Sequence, residues 1–439
     1  MSAITKTKSV LISGGSIAGP ATAFWLNKYG FKTTLVERWN GVRPGGQSVD
    51  LAHYGLEAIQ RMNLEPEVRA RFTGEKGTTI TDAHNTPYMS LPVGHGPTNE
   101  FEILRGDFAD MLYKQTEGQT EWIFNDYITS VEEPPTGQGG SNEGGGKVKV
   151  GFKSGKTEEY DYLIIAEGAR SWTRKLVFEK DKVEYKPIGC YIAYFSIPLT
   201  SSTPYSDQWH VIYLPHKRCI YFRPDFKANT QRAGVMFLSP ESKGYEKLSP
   251  TDQKQIIKEI YADGGENAQR MLEGLDTKES DDLYFEYLAQ VHAQKWSSDS
   301  GRVFLVGDSA WCGTPMIGMG CSLSVAGSYI LAGEMAKHHD HGDIKKIGEE
   351  YEKTWRPTVT EAQKLPPGIP RILFQESEWG VKTFLNFTTV MGWIFGSKLV
   401  QQWVIPSITR VWTRLFPSEE GKKLPDYNMY LVDKPTTDK

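Results

Sequence analysis

A glycine-rich turn near the start of the chain constrains the fold more than any other feature. Ser9-Val-Leu-Ile-Ser13 is a short apolar run that leads into Gly14-Gly-Ser-Ile-Ala-Gly19. Ala18 to Tyr29 then carries helical periodicity and stops at Gly30, and Phe31 to Glu37 is a second apolar strand. This is a β-α-β unit with a tight turn of small residues at its first corner. Small residues there let the backbone approach a pyrophosphate. The helix N-terminus adds unpaired N–H groups and a positive partial charge. The usual spacing is G-x-G-x-x-G, and here Ser16 stands in place of the middle glycine. Serine is still small and brings a hydroxyl donor. Glu37 ends the second strand, where a carboxylate can hold both ribose hydroxyls of an adenosine and would repel a 2′-phosphate. That disfavours NADP at this position. Gly14, Ser16, Ala18, Gly19, Glu37 and Arg38 are therefore dinucleotide-binding candidates, with NAD and FAD both open.

Composition narrows the class. The 439 residues are 39% hydrophobic and 24% charged, with 12 Trp and 21 Tyr, which suits a large buried core and excludes a disordered chain. Fifty Lys and Arg against 54 Asp and Glu give a formal charge of −4, so no nucleic-acid partner is expected. The four cysteines form no C-x-x-C pair, and their sparse use fits a reducing, cytoplasmic setting. Met1 to Ser9 is polar and does not read as a signal peptide.

Two further buried strands, Tyr160 to Ala166 and Arg302 to Val306, belong with the first pair in one parallel sheet. Between them, Tyr191 to Pro198, Trp209 to Leu214, Arg218 to Arg223 and Ala233 to Leu238 alternate as strands of an antiparallel sheet, beside an amphipathic helix from Thr251 to Ala262. Residues 134–147 form a low-complexity surface hairpin. The tail from Thr383 to Thr409 is apolar except for Lys398. Its uncharged stretches of 15 and 11 residues fall short of the roughly 20 needed to cross a bilayer. It reads first as a helix packed on the body and second as a weak membrane-surface contact.

The cofactor question turns on a second loop. Gly307-Asp308 follows a buried strand, and Pro315, Met316, Gly318 and Gly320 lie in the glycine-rich turn before a helix from Ser322 to Lys337. A carboxylate at a strand end can hydrogen-bond a ribityl chain. A helix N-terminus can face the flavin edge that becomes negative on reduction. An NAD dehydrogenase needs no such second loop, so FAD is favoured.

Together these residues resemble the group A FAD-dependent monooxygenases of the para-hydroxybenzoate hydroxylase fold, above all their tetracycline-inactivating subgroup, over about residues 8–370. The resemblance implies an α/β fold: an FAD-binding three-layer parallel-sheet (Rossmann-like) domain, an inserted antiparallel β-sheet substrate domain and a C-terminal helical segment. The expected boundaries are 1–180 for the first FAD part, with a substrate-facing region at about 75–105. They continue as 181–292 for the substrate domain, 293–365 for the second FAD part and 366–439 for the tail. The resemblance also places Arg43, Gly46 and Asp50 near the flavin and the nicotinamide donor, and Arg105 on the ribityl region. It places Glu167 and Gly168 in a motif serving FAD and NAD(P)H, Gly307 and Asp308 on the ribityl chain, and Pro315, Gly318 and Gly320 beside the isoalloxazine. Glu167 stands where the family has aspartate.

The implied reaction uses NADPH or NADH and O₂ to insert one oxygen atom into an aromatic or polycyclic small molecule through a flavin C4a-hydroperoxide. Hydroxylation, epoxidation and Baeyer–Villiger insertion, in secondary metabolism or xenobiotic modification, all share this intermediate. The flavin carries the chemistry, so no catalytic side chain is assigned. An FAD-dependent dehydrogenase or reductase without oxygen insertion is the alternative. Tyr194, His210, Tyr213, Phe222, Arg223 and Met316 are candidates for the substrate pocket. His338-His-Asp-His341 ends a helix and reads as solvent-facing rather than metal-binding, and no metal is expected. Trp403-Val-Ile-Pro406 holds part of a flavin-halogenase motif without its first tryptophan. A monomer or homodimer is expected.

Overall fold

Ser9–Ser13 lies at the centre of a five-stranded sheet. The order is Val303–Leu305, Tyr162–Ile165, Ser9–Ser13, Lys32–Glu37 and Thr120–Phe124, with every pair parallel. Strands covered on both faces read as unbroken apolar runs, and Val10, Leu11 and Ile12 are fully buried. This computed structural model describes residues 7–43, 45–93, 101–135, 146–200, 203–225, 229–339, 344–396 and 423–432, with the side chains of 391–396 left aside. Most of the low-complexity hairpin, Asp340 and His341, the Trp403 to Pro406 motif and residues 397–422 and 433–439 of the tail lie outside the described residues.

Two helices pack deep in this domain. Ala18–Lys28 follows the glycine turn, and Gly320–His338 follows the second loop. The side chain of Ser328 donates to the carbonyl of Ala18 at 3.0 Å and ties the two helices together.

The second sheet has seven strands: Tyr284–Ala293, Val183–Pro198, Thr230–Leu238, Arg218–Asp225, Trp209–Leu214, Thr78–Thr81 and Pro87–Leu91. The sequence expectation needs three corrections here. The first strand runs 16 residues, with a register shift between Pro187 and Tyr191. Tyr284–Ala293 was not foreseen. Thr78–Thr81 joins parallel to Trp209–Leu214, so the sheet is mixed at that edge. One face of the sheet packs on the helices Pro250–Tyr261 and Gly265–Leu275 through Phe195, Ile220, Phe222 and Phe285. The other face carries Cys190, Ile192, Tyr194, Tyr213, Cys219 and Leu288, and against it pack Met316, Leu373 and Phe374. The tail helix Glu378–Gly396 docks at the sheet edge. Leu385 is fully buried, Phe384 meets Tyr213 edge-on at 5.2 Å, and the side chain of Thr389 donates to the Tyr88 carbonyl at 2.7 Å.

Candidate functional site

The glycine turn is shaped by backbone contact. Gly14 holds φ at +112°, and a Cβ there would lie 2.5 Å from the Ala166 carbonyl oxygen, while one on Gly19 would lie 1.9 Å from the Gly14 oxygen. No side chain could occupy either place. The helix that follows has no side-chain cap and no acidic residue in its first turn. Its N–H groups and positive dipole end are left for an anion.

Glu37 closes one end of this turn. Its Oε2 accepts from the Gly15 N–H at 2.6 Å and its Oε1 from the Trp39 N–H at 3.0 Å. At the other end, Arg105 Nη2 donates to Ser16 Oγ at 2.7 Å. Arg105 begins the helix Arg105–Thr116, and its stem packs against Gly46. Burial raises the pKa of Asp308, and the Arg105 charge acts on it in the opposite sense. Gly307 sits between Ala18 and Ser324, one on each buried helix. Asp308 Oδ1 is 3.9 Å from the position a Gly320 Cβ would take. The Gly320–His338 helix also lacks a side-chain cap and an acidic first turn. Burial pushes the Cys321 thiol up to about 12, in the electrostatic reach of Arg105, Asp308 and Asp50. Asp50 joins through its backbone carbonyl, which accepts from Ser322 Oγ at 3.1 Å. Loops far apart in sequence thus meet around Ser16 and Arg105.

Glu167 is engaged within the chain. It accepts from Ser13 Oγ at 2.5 Å, Ser171 Oγ at 2.6 Å, Thr173 Oγ1 at 2.5 Å and the Thr173 N–H at 2.9 Å. Its carboxylate therefore holds the start of the short helix Trp172–Val177, and Gly168 follows at φ +81°. Arg38 and Arg43 are exposed, with Arg43 over the Trp39 ring at 5.4 Å. Pro315 and Gly318 are exposed at the loop tip.

The pleat sorts the substrate-pocket candidates. Tyr194, Tyr213 and Arg223 share the sheet face turned toward the second loop, from which Met316 packs against it. His210 and Phe222 occupy the opposite parity and sit on the helix-covered side, which corrects their assignment to the pocket. Phe222 lies in that core under the Arg270 guanidinium at 3.9 Å. His210 Nε2 is 2.8 Å from Thr81 Oγ1, and burial with the Arg270 charge pushes its pKa down to about 4. Tyr194 stacks on Tyr284 at 4.7 Å, and burial raises its hydroxyl to about 12.

Several residues escaped the sequence reading. Arg174 is buried and clamps the Ala169 carbonyl at 2.7 Å and the Ser309 carbonyl at 2.6 Å, which joins the Glu167 loop to the Asp308 loop. It lies in the short helix after Glu167 and Gly168, beyond the residues the motif singles out. Glu286 pairs with Arg170 at 2.8 Å and accepts from the Tyr284 hydroxyl. Its strand, Tyr284–Ala293, alternates clearly enough to have been found. Among the described residues, no group of three His, Cys, Asp or Glu could hold a metal ion.

The two uncapped helix ends, the side-chain-free cradle at Gly14 and Gly19, the Glu37 carboxylate at one end of the turn and Arg105 with Asp308 at the other fit the parts of an FAD molecule. Comparison with known proteins agrees. The FAD binding domain family matches residues 7–364. Monooxygenase CTB7 of Cercospora beticola is 30% identical over 450 residues, covering 98% of this chain and 100% of that protein. FAD-dependent monooxygenase asL6 of Sarocladium schorii is 31% identical over 411 residues, 90% of this chain and 95% of that protein. The crystal structure of tetracycline destructase Tet(55) superposes with a TM-score of 0.72 at 29% identity, over 88% of this chain and 96% of that one.

Proposed function

This chain belongs to the FAD binding domain family, and on that premise we propose that the loops gathered around Ser16 and Arg105 hold one FAD. The enzyme is an FAD-dependent monooxygenase that uses NADPH or NADH and O₂ to place one oxygen atom in an aromatic or polycyclic small molecule. Bound FAD supplies hydride acceptance and oxygen activation.

The chain's own residues do the rest. Gly14, Ser16, Ala18 and Gly19 present the uncapped helix end to the pyrophosphate, with Glu37 and Arg38 at the adenosine side. Arg105, Gly307 and Asp308 take the ribityl side. Pro315, Gly318 and Gly320 bring the second helix end to the ring edge. Arg43, Gly46, Asp50, Glu167 and Gly168 flank the approach of the nicotinamide donor. Tyr194, Tyr213 and Met316, with the apolar Cys190, Cys219 and Leu288 beside them, form a dry aromatic wall against which a flat, apolar substrate can lie. The observation that carries this reading is the 2.7 Å contact of Arg105 with Ser16, which sets the ribityl-side arginine on the pyrophosphate turn.

The test is direct. Purified protein carries about one FAD per chain, and NADPH or NADH bleaches it faster with substrate present. Under oxygen-18 gas one labelled atom enters the product. A colourless protein refutes the site. Label missing from every product, with flavin intact, refutes oxygen insertion and leaves a reductase.

We also read the enzyme as cytoplasmic, monomeric or a homodimer. Among the described residues no helix is long and apolar enough to cross a membrane. Trp379 and Phe387 on the tail helix are 76% and 62% exposed, which supports at most a weak surface contact with lipid. Co-sedimentation with anionic vesicles checks this.

A further inference from the structure

Two carboxyl groups hold one guanidinium beside the antiparallel sheet, and a third carboxyl stands next to them. Arg223 Nε meets Glu75 Oε2 at 2.9 Å, and its Nη2 meets Glu102 Oε1 at 2.5 Å. Trp209 covers the guanidinium at 4.5 Å. Asp50 stands directly opposite Glu102 in the two-stranded ribbon Ser48–Asp50 and Glu102–Leu104. Like charges in that position repel. The Glu102 side chain is fully buried and that of Glu75 nearly so. With every carboxyl ionised, three negative charges would face one positive charge in a site shielded from water. Desolvation makes that arrangement untenable, and such sites take up a proton instead. Glu102 Oε2 and Asp50 Oδ1 are both buried with no hydrogen-bond partner, so each leaves room for a proton that no existing contact excludes.

We propose that Asp50, Glu75 and Glu102 around Arg223 store one proton for the oxygenation reaction, with Asp50 as the end that releases it into the cofactor cleft. This rests on the FAD site proposed above. Asp50 alone of the three is only half-buried. Its backbone carbonyl accepts from Ser322 Oγ, in the first turn of the Gly320–His338 helix, which sets the residue at the edge of the cleft, and its carboxyl charge acts on Cys321 beside it. Burial, with Glu102 reinforcing and Arg223 opposing, raises Asp50 to about 7. Burial likewise raises Glu75 to about 7. The charged and titratable groups facing Asp50 are thus Glu102 on its partner strand, Arg223 on the sheet, Glu75 ahead of Thr78–Thr81 and Cys321 on the helix.

The chemistry needs such a store. NAD(P)H, O₂, substrate and one proton give NAD(P)⁺, oxygenated substrate and water. The Asp50 O–H bond breaks and its electron pair stays on the carboxylate. The proton goes to the oxygen atom that leaves as water. Solvent then refills the carboxylate from its exposed edge.

Infrared spectroscopy of the FAD-loaded enzyme tests this. A protonated-carboxyl C=O band is expected at neutral pH that fades as pH rises through about 7. Asp50→Asn should remove it, and in the flavin-loaded fraction lower NADPH oxidation at neutral pH at least tenfold while abolishing its alkaline limb. Glu102→Gln, which removes the opposing charge and keeps Asp50, should move the band's midpoint to lower pH and serves even where Asp50→Asn fails to load FAD. A band and alkaline limb unmoved by Asp50→Asn overturn the store, as does an unmoved midpoint in Glu102→Gln. Protein that keeps the band yet binds no FAD instead refutes the cofactor site, so the two failures are distinct.

Discussion

Replacing Gly19 with alanine tests the cradle without touching any charge. A Cβ at that position would sit 1.9 Å from the Gly14 oxygen, against a closest ordinary approach of 3.0 Å. The turn and the helix start must therefore separate by about 1 Å. Both partners are backbone, so no rotamer change relieves the contact. Overpacking of this kind costs about 1–3 kcal/mol. The better helix propensity of alanine returns at most about 1 kcal/mol. The fold should lose up to about 2 kcal/mol, a fall in Tm of about 2 °C for a chain this long. The larger effect is on the ligand, since the displaced N–H groups are those aimed at the pyrophosphate. FAD affinity should drop at least tenfold, about 1.4 kcal/mol. Flavin fluorescence titration of the apoprotein, with thermal unfolding in the presence and absence of FAD, measures both. Wild-type affinity together with an unchanged Tm would refute the cradle.

Three further outcomes are expected. Asp308→Ala should lower the flavin content of purified protein, read from the visible absorbance ratio, because the ribityl contact is lost. Arg43→Ala should slow flavin reduction by NADPH in stopped flow more than it weakens FAD binding, since Arg43 is exposed and its guanidinium lies over the Trp39 ring. The raised pKa of Asp50 also predicts a pH-dependent stability. The native state keeps a proton that the unfolded chain loses between about pH 4 and 7, so stability falls across that window. The full effect is of order 4 kcal/mol, from a rise of about three pH units at 1.36 kcal/mol each. Urea unfolding of Asp50→Asn should show a flatter pH slope and higher stability at pH 8 than the wild type.

Local chemistry made the first sheet readable from sequence. Ser9–Ser13, Lys32–Glu37, Tyr162–Ile165 and Val303–Leu305 are short apolar runs ending in glycine or acid, and strands buried on both faces have no other way to look. The helix after Gly320 was equally plain. The second sheet was harder, because Tyr284–Ala293 joins Val183–Pro198, and Thr78–Thr81 joins Trp209–Leu214, across long stretches of chain. His210 and Phe222 were misplaced by ignoring the two-residue period. Phe222 and Arg223 are neighbours on one strand and cannot face the same side, and His210 and Tyr213 differ in parity. The Glu75, Glu102 and Arg223 cluster was invisible for another reason. Its members are scattered along the chain, and isolated charges look like surface until folding buries them together.

The central claim is that separate loops grip a single flavin. Amide hydrogen exchange of the apoprotein against the FAD-loaded protein tests it most directly. Protection should rise together in the Gly14–Gly19 turn, around Glu37, at Arg105 and across residues 307–321. Protection confined to the first turn, with residues 307–321 exchanging as before, would contradict it.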